Sequence, residues 1–206
     1  MGIIHHGAPT ELILALKRES GIENFVETGT LVGDTAAWAA NHFTRVVTIE
    51  NEPERHKKAV ERFGATTNVE VLLGESPGVL SKLFDLTGPA MFWLDAHWMG
   101  INSGTGGDDH ECPVLDEIAS INSYSERDII LVDDARLFSA PPPSPHDASQ
   151  WPDLNAVVSA LDNHGTRHVV LFEDALIAVP QNMKLFLVKY LQERITEAWL
   201  VQNGLK

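Results

Sequence analysis

The chain has 206 residues, 44% hydrophobic and 21% charged, a size and balance that suit one α/β domain and leave little room for two. With 29 acidic against 15 basic side chains the net charge is −14, so a nucleic-acid partner is not expected, because phosphate backbones are held by Lys and Arg. No apolar run approaches the roughly 18 residues of a membrane span, the amino terminus lacks a basic and apolar leader pattern, and Cys112 is the single cysteine; the expectation is a cytoplasmic protein with no disulfide and no membrane contact.

Strand-like and helix-like patches alternate with short breaks, the pattern of a parallel sheet wrapped by helices. Residues 10–20 carry Leu12, Ile13, Leu14 and Leu16 and predict an opening helix closed by Gly21, within an N-terminal segment 1–22. A strand at 24–27 runs into Thr28, Gly29 and Thr30, and a helix over 33–42 follows, with Ala36, Trp38 and Ala39 toward the sheet. A second strand, 45–50, ends on Glu50, and Pro53 opens a charged helix to about Phe63. A third strand, 69–73, precedes a helix over about 77–86.

The wholly apolar run 90–94 ending on Asp95 reads as a buried central strand, and 128–133, also apolar, ends on Asp133 and Asp134. Between them lie a Gly- and Asp-rich loop, 99–112, and a helix from Pro113 to about Tyr124. The stretch 139–152 holds Pro141, Pro142, Pro143, Pro145 and Pro152 and is expected to be irregular. After a helix over about 153–163, runs 168–172 and 175–179 are separated by only Glu173 and Asp174, too few for a parallel crossover, so an antiparallel hairpin is predicted. The C-terminal segment 181–206 reads as a long amphipathic helix. Its stripe of Leu185, Val188, Leu191 and Ile195 would cover the sheet or a second copy, which leaves a homodimer possible.

The segment Glu27 to Gly33 lies between a strand and a helix, where a nucleoside-binding loop belongs. Gly29 permits a sharp turn, Gly33 a close approach, and Glu50, twenty-one residues after Gly29, is placed to accept both ribose hydroxyls. There is no G-x-G here, and Glu27 would repel a pyrophosphate but attract the amino group of a methionyl cofactor. That favours S-adenosylmethionine (SAM) over NAD. With this loop, Glu50 and the terminal hairpin, the sequence resembles the class I SAM-dependent methyltransferases over nearly its whole length. The resemblance implies a single Rossmann-like domain, 1–206. It also implies a three-layer sandwich whose seven-stranded, mostly parallel sheet has order 3-2-1-4-5-7-6 and strand 7 antiparallel. It implies a loop that cradles the methionine part (Glu27, Gly29, Thr30, Gly33, with Thr35 just beyond) and Glu50 on the ribose. Glu75 and Ser76 fall where such enzymes meet the adenine, although Ser76 is equally a helix cap.

In a parallel sheet Asp95, Asp133 and Asp134 finish at one edge, beside the cofactor. Clustered carboxylates repel unless neutralised, and an all-oxygen set suits Mg²⁺, Mn²⁺ or Ca²⁺. The arrangement looks like the metal-dependent O-methyltransferase branch, which implies metal ligands Asp95, Asp133 and Asp134 and O-methylation of a small hydroxylated metabolite. Asp95 is also a candidate for contact with the cofactor. One departure stands out: catechol-type enzymes carry a Lys three residues after the first metal Asp, and here that place is Trp98. His97 is then the nearest candidate base, the alternatives being a metal ligand or a plain loop histidine. Trp98 and Trp151 are candidates for pocket walls, Arg136 for an acidic group of the substrate, and the loop over 99–112 for a lid.

Overall fold

The computed structural model describes residues 7–83, 88–98 and 110–206. The expected lid lies mostly outside the described residues, as do residues 84–86; the helix predicted over about 77–86 is shorter, Ser76–Leu80, and is followed by a turn. Among the described residues no helix is long and apolar enough to cross a membrane.

Seven strands form one sheet: β1 (Asn24–Thr28), β2 (Arg45–Glu50), β3 (Val69–Leu73), β4 (Ala90–Leu94), β5 (Ile129–Val132), β6 (Arg167–Phe172) and β7 (Ala175–Pro180). Their order is β3-β2-β1-β4-β5-β7-β6. The first five run parallel, while β7 is antiparallel to both β5 and β6. The physical reason is chain length: Glu173 and Asp174 can only reverse the chain, so β7 must return beside β5 head to tail.

Alternate residues of the central strands feed two cores. On one face Phe25, Val46, Met91, Trp93, Ile129 and Leu131 meet α1 (Thr10–Ser20), α2 (Asp34–Ala40), α3 (Pro53–Phe63) and α8 (Lys184–Gln202). On the other, Val26, Val47, Phe92, Leu94, Ile130 and Val132 meet α4 (Ser76–Leu80), α5 (Val114–Ile121), α6 (Arg136–Ser139) and α7 (Leu154–Asp162). Both faces of β4 are covered, which is why that strand reads as a continuous apolar run, and β1 is equally buried although Asn24, Glu27 and Thr28 are polar.

Local chemistry sets the helix starts. The Glu52 side chain accepts from the Glu54 and Arg55 N–H groups ahead of α3, and Asp153 accepts from the Ala156 N–H ahead of α7. Two short elements were not anticipated: α6, and a 3₁₀ turn at Ala148–Gln150 inside the Pro-rich stretch, which is otherwise irregular as predicted. The stripe expected on the last helix is corrected. Leu187 and Leu191 are buried, whereas Leu185, Val188 and Ile195 are exposed, because α8 turns a different face to the sheet.

Candidate functional site

The carboxyl ends of β1, β2 and β4 open into a cleft of about 640 Å³, solvent at its mouth included. At its centre the chain leaves β1 and turns at Gly29 with φ +84°. A Cβ there would lie 2.6 Å from the Asp95 carbonyl oxygen, so only glycine lets this loop rest on the end of β4. The Gly29 and Thr30 N–H groups donate to the Ile49 carbonyl at 3.0 and 3.3 Å. Leu31, itself at φ 51°, donates its N–H to Oε2 of Glu50 at 3.0 Å. The other oxygen, Oε1, accepts from the Glu52 N–H at 3.0 Å. Glu50 is thus buried and held at both oxygens on the cleft floor, with lone pairs left for hydroxyl donors.

The structure divides the predicted cofactor residues into two groups. Gly29, Glu50, Glu75, Ser76 and Asp95 line the cleft, as does His110 of the acidic loop, and so do Asn51 and Arg55, which the sequence did not single out. Glu27, Thr30, Gly33 and Thr35 lie outside its lining, in supporting roles. Glu27 accepts from the Thr48 hydroxyl at 2.7 Å, and Thr48 in turn shares a 2.6 Å hydrogen bond with Thr30. Thr35 adds a further hydrogen bond to Glu27, whose carboxyl burial pushes up to about 8. At Gly33 an added Cβ would meet the Phe63 ring at 2.9 Å, so this glycine serves the packing of the loop on α3. A cradle that a Cβ would fill and a buried acid at the end of β2 fit an adenosyl cofactor with a ribose diol.

The three predicted metal carboxylates do converge at the ends of β4 and β5, but not as a ligand shell. Asp134 is taken from two sides: Arg136 Nη1 lies 2.6 Å from Oδ1, and His97 Nε2 lies 3.2 Å from Oδ2. The Asp133 carboxylate accepts from the Asp134 N–H at 2.8 Å, and His97 Nδ1 stands 3.6 Å from Asp95. Among the described residues no group of three or more His, Cys, Asp or Glu side chains is placed to hold a metal ion. As arranged, these residues do not fit a divalent cation, because the imidazole and guanidinium already occupy Asp134. Arg136 also pairs with Asp174, so its charge serves the wall of the site instead of reaching a substrate.

Electrostatics separates these acids. Although burial works against it, hydrogen bonds from His97 and Arg136 bring Asp134 down to about 2. Burial pushes Asp95 up to about 7, aided by the charge of Asp133, which burial itself raises to about 6. Burial alone would lower the His97 imidazole, but its bond to Asp134 and the charge of Asp95 lift it above its ordinary value.

Of two further buried acids, Glu117 lines the cavity at the ends of β4 and β5 and was not singled out from the sequence, while Glu111 lies in the acidic loop read as a source of added ligands. Glu117 on α5 is buried on the same face as Val114, Ile118 and Ile121; an acid on the apolar face of a helix was the available signal. Burial raises its carboxyl to about 7 against hydrogen bonds from Ser76 and Thr28. Glu111 anchors the Pro-rich stretch: it accepts from the Asp147 N–H at 2.8 Å, Trp151 Nε1 at 2.7 Å and His146 Nδ1 at 3.1 Å. His97, Trp151, His146 and Trp98 consequently form a chain of edge-to-face rings, with centroids 5.8, 6.0 and 4.8 Å apart in turn. The expectation that Trp98 and Trp151 wall a pocket is met in part: Trp98 lines the cofactor cleft and Trp151 an adjoining cavity.

Among solved structures the fold is similar to TomG from Streptomyces achromogenes, an O-methyltransferase involved in tomaymycin synthesis, in complex with SAM. The identity is 19%, with 86% of this chain and 82% of that one covered and a TM-score of 0.57. It is also similar to the O-methyltransferase from Bacillus cereus in complex with S-adenosylhomocysteine (16% identity, 86% and 83% covered, TM-score 0.57). A candidate O-methyltransferase from Klebsiella pneumoniae aligns at 16% identity over 87% of this chain and 83% of its own, with a TM-score of 0.61. No protein-family model matches the chain, and no curated protein matches it. The likeness establishes the fold, a Rossmann-like methyltransferase fold with the strand order expected from the sequence.

Proposed function

We propose that the protein is a SAM-dependent methyltransferase that methylates a hydroxyl group of a small molecule. The observation that carries this reading is the placement of a glycine cradle and a backbone-clamped Glu50 in one cleft, next to a second cavity that shares Asp95, Ala96 and His97 with it. The solved structures of this fold named above include complexes with SAM and its demethylated product, and they supply the cofactor class.

When bound, SAM supplies a methyl group on a positively charged sulfur, so the acceptor needs positioning and loss of a proton more than activation of the donor. Glu50 holds the ribose, Glu75 and Ser76 stand by the purine, and Asp95 faces both cavities. His97 is held by Asp134 in a state that favours its charged form, and it orients an acceptor oxygen by donating a hydrogen bond. Asp95, with its carboxyl near 7, is the better base: it takes the hydroxyl proton at neutral pH, where its ionised and protonated forms are both populated. No step is routed through a divalent cation.

The test is transfer of tritiated methyl from labelled SAM to a panel of hydroxylated compounds, with and without EDTA. Calorimetric titration of SAM, S-adenosylhomocysteine and NAD runs alongside. Binding of both adenosyl ligands and turnover undiminished by EDTA are expected. Binding of NAD alone would refute the cofactor assignment, and complete loss of turnover with EDTA would restore the metal site.

A further inference from the structure

The cavity beside the first cleft, about 270 Å³ with its opening, is lined by four carboxyl groups and one imidazole. Its ionisable lining consists of Asp95 and His97 from the end of β4, Asp133 and Asp134 from the end of β5, and Glu117 and Cys112 from α5 and the segment before it. Burial pushes the Cys112 thiol up to about 12, so it stays neutral. Among the described residues two cations stand in reach, and both pair with Asp134, His97 at 3.2 Å and Arg136 at 2.6 Å; His97 also stands 3.6 Å from Asp95, and Arg136 pairs with Asp174 as well. Among the described residues Asp133 and Glu117 are left without an ion pair to any cation. Glu117 is the sharpest case: its side chain is 1% exposed, and Oε1 has no hydrogen-bond partner. A buried oxygen of this kind costs free energy until a donor reaches it.

We propose that the methyl acceptor carries an ammonium group that seats in this cavity against Glu117, so that the substrate class is a hydroxylated amine. The inference rests on the methyltransferase reading and narrows it. An ammonium brings three donors and a positive charge into a site rich in unmatched acceptors. A carboxylate or phosphate would be repelled by the same acids. A neutral hydroxyl would satisfy one oxygen and leave the charge imbalance in place. The apolar remainder of the lining, with Phe138 and the Trp151 ring, suits the carbon body of such a molecule, and the indole face adds attraction for a cation.

Matched pairs test it: tyramine against 4-ethylphenol, and glucosamine against glucose. Each is titrated calorimetrically into the full-length protein at neutral pH with S-adenosylhomocysteine and EDTA present. Each amine is expected to bind about tenfold or more tightly than its neutral partner, the scale of one charge-assisted hydrogen bond. Glu117→Gln, checked for folding by its melting curve, is expected to erase most of that preference. Equal affinity within the pairs overturns the inference, as does failure of every amine to bind, or tighter binding of the neutral members when Mg²⁺ replaces EDTA. The wild-type pairs decide the matter even if the variant does not fold. Failure of SAM itself to bind in the same calorimeter takes down the methyltransferase reading, and the inference with it.

Discussion

The two halves of the site are built on opposite principles. In the β1–β2 half, the acid proposed to hold the ribose is already satisfied: Glu50 accepts the Leu31 and Glu52 N–H groups, and the loop above it is tied to Ile49. In the β4–β5 half, among the described residues, Asp133 and Glu117 are buried with no ion pair to a cation, Oε1 of Glu117 has no hydrogen-bond partner, and His97 and Arg136 both pair with Asp134. The first half is preorganised by its own backbone. The second leaves a buried acceptor oxygen unmatched, which is what the proposed ammonium group would answer.

The comparison is broken most forcefully at Asp95, because that residue faces both cavities. Asp95→Asn removes the proposed base while keeping the shape, and turnover in the methyl-transfer assay should fall by roughly 10²-fold or more. SAM affinity, read by calorimetry, should change far less; equal losses of both would place Asp95 with the cofactor alone. The second effect sharpens the other half. Glu50→Ala removes charge-assisted hydrogen bonds and should weaken SAM binding by about 1.5–3 kcal/mol, whereas unchanged affinity would mean that the ribose is held elsewhere.

The smallest effect concerns stability. Burial raises Glu27 from its ordinary 4.5 to about 8 in the folded state. Between those values the unfolded chain has released this proton while the folded chain retains it, so the contribution is full below 4.5 and lost as pH rises through about 8. Glu27→Gln keeps the shape but removes this dependence. The variant should therefore gain on the wild type by a few degrees in melting temperature on going from acid to mildly alkaline pH, at about 2–4 °C for each kcal/mol. A constant difference across that range would show that Glu27 is ionised in the folded protein.

Much of the fold was legible because it depends on local signals. Apolar runs ending on acids marked β4 and β5, Gly29 marked the turn after β1, and the two-residue gap at Glu173 and Asp174 forced the antiparallel return of β7. The helix covers were less legible: the stripe read on α8 was displaced, because which apolar face a helix buries depends on the surface it lands on. In the site, the spacing placed Gly29, Glu50 and Asp95 on one cleft without error, since each terminates or follows a strand of a parallel sheet.

Residue type and chain position therefore determined which acids stand at the carboxyl edge of the sheet and where the backbone must turn. What those acids do was decided only in three dimensions. Gly33 faces Phe63 and not the cleft, Arg136 reaches back to Asp134 and Asp174, His97 lies between two aspartates, and Glu117 comes up from a helix more than twenty residues beyond Asp95. Charge pairing acts through space over a few ångströms, and neighbours at that range come from segments distant in the chain. A count of carboxylates along a sequence says nothing of which are neutralised; only the packing of β4, β5 and α5 decided that His97 and Arg136 pair with Asp134 while Oε1 of Glu117 has no hydrogen-bond partner.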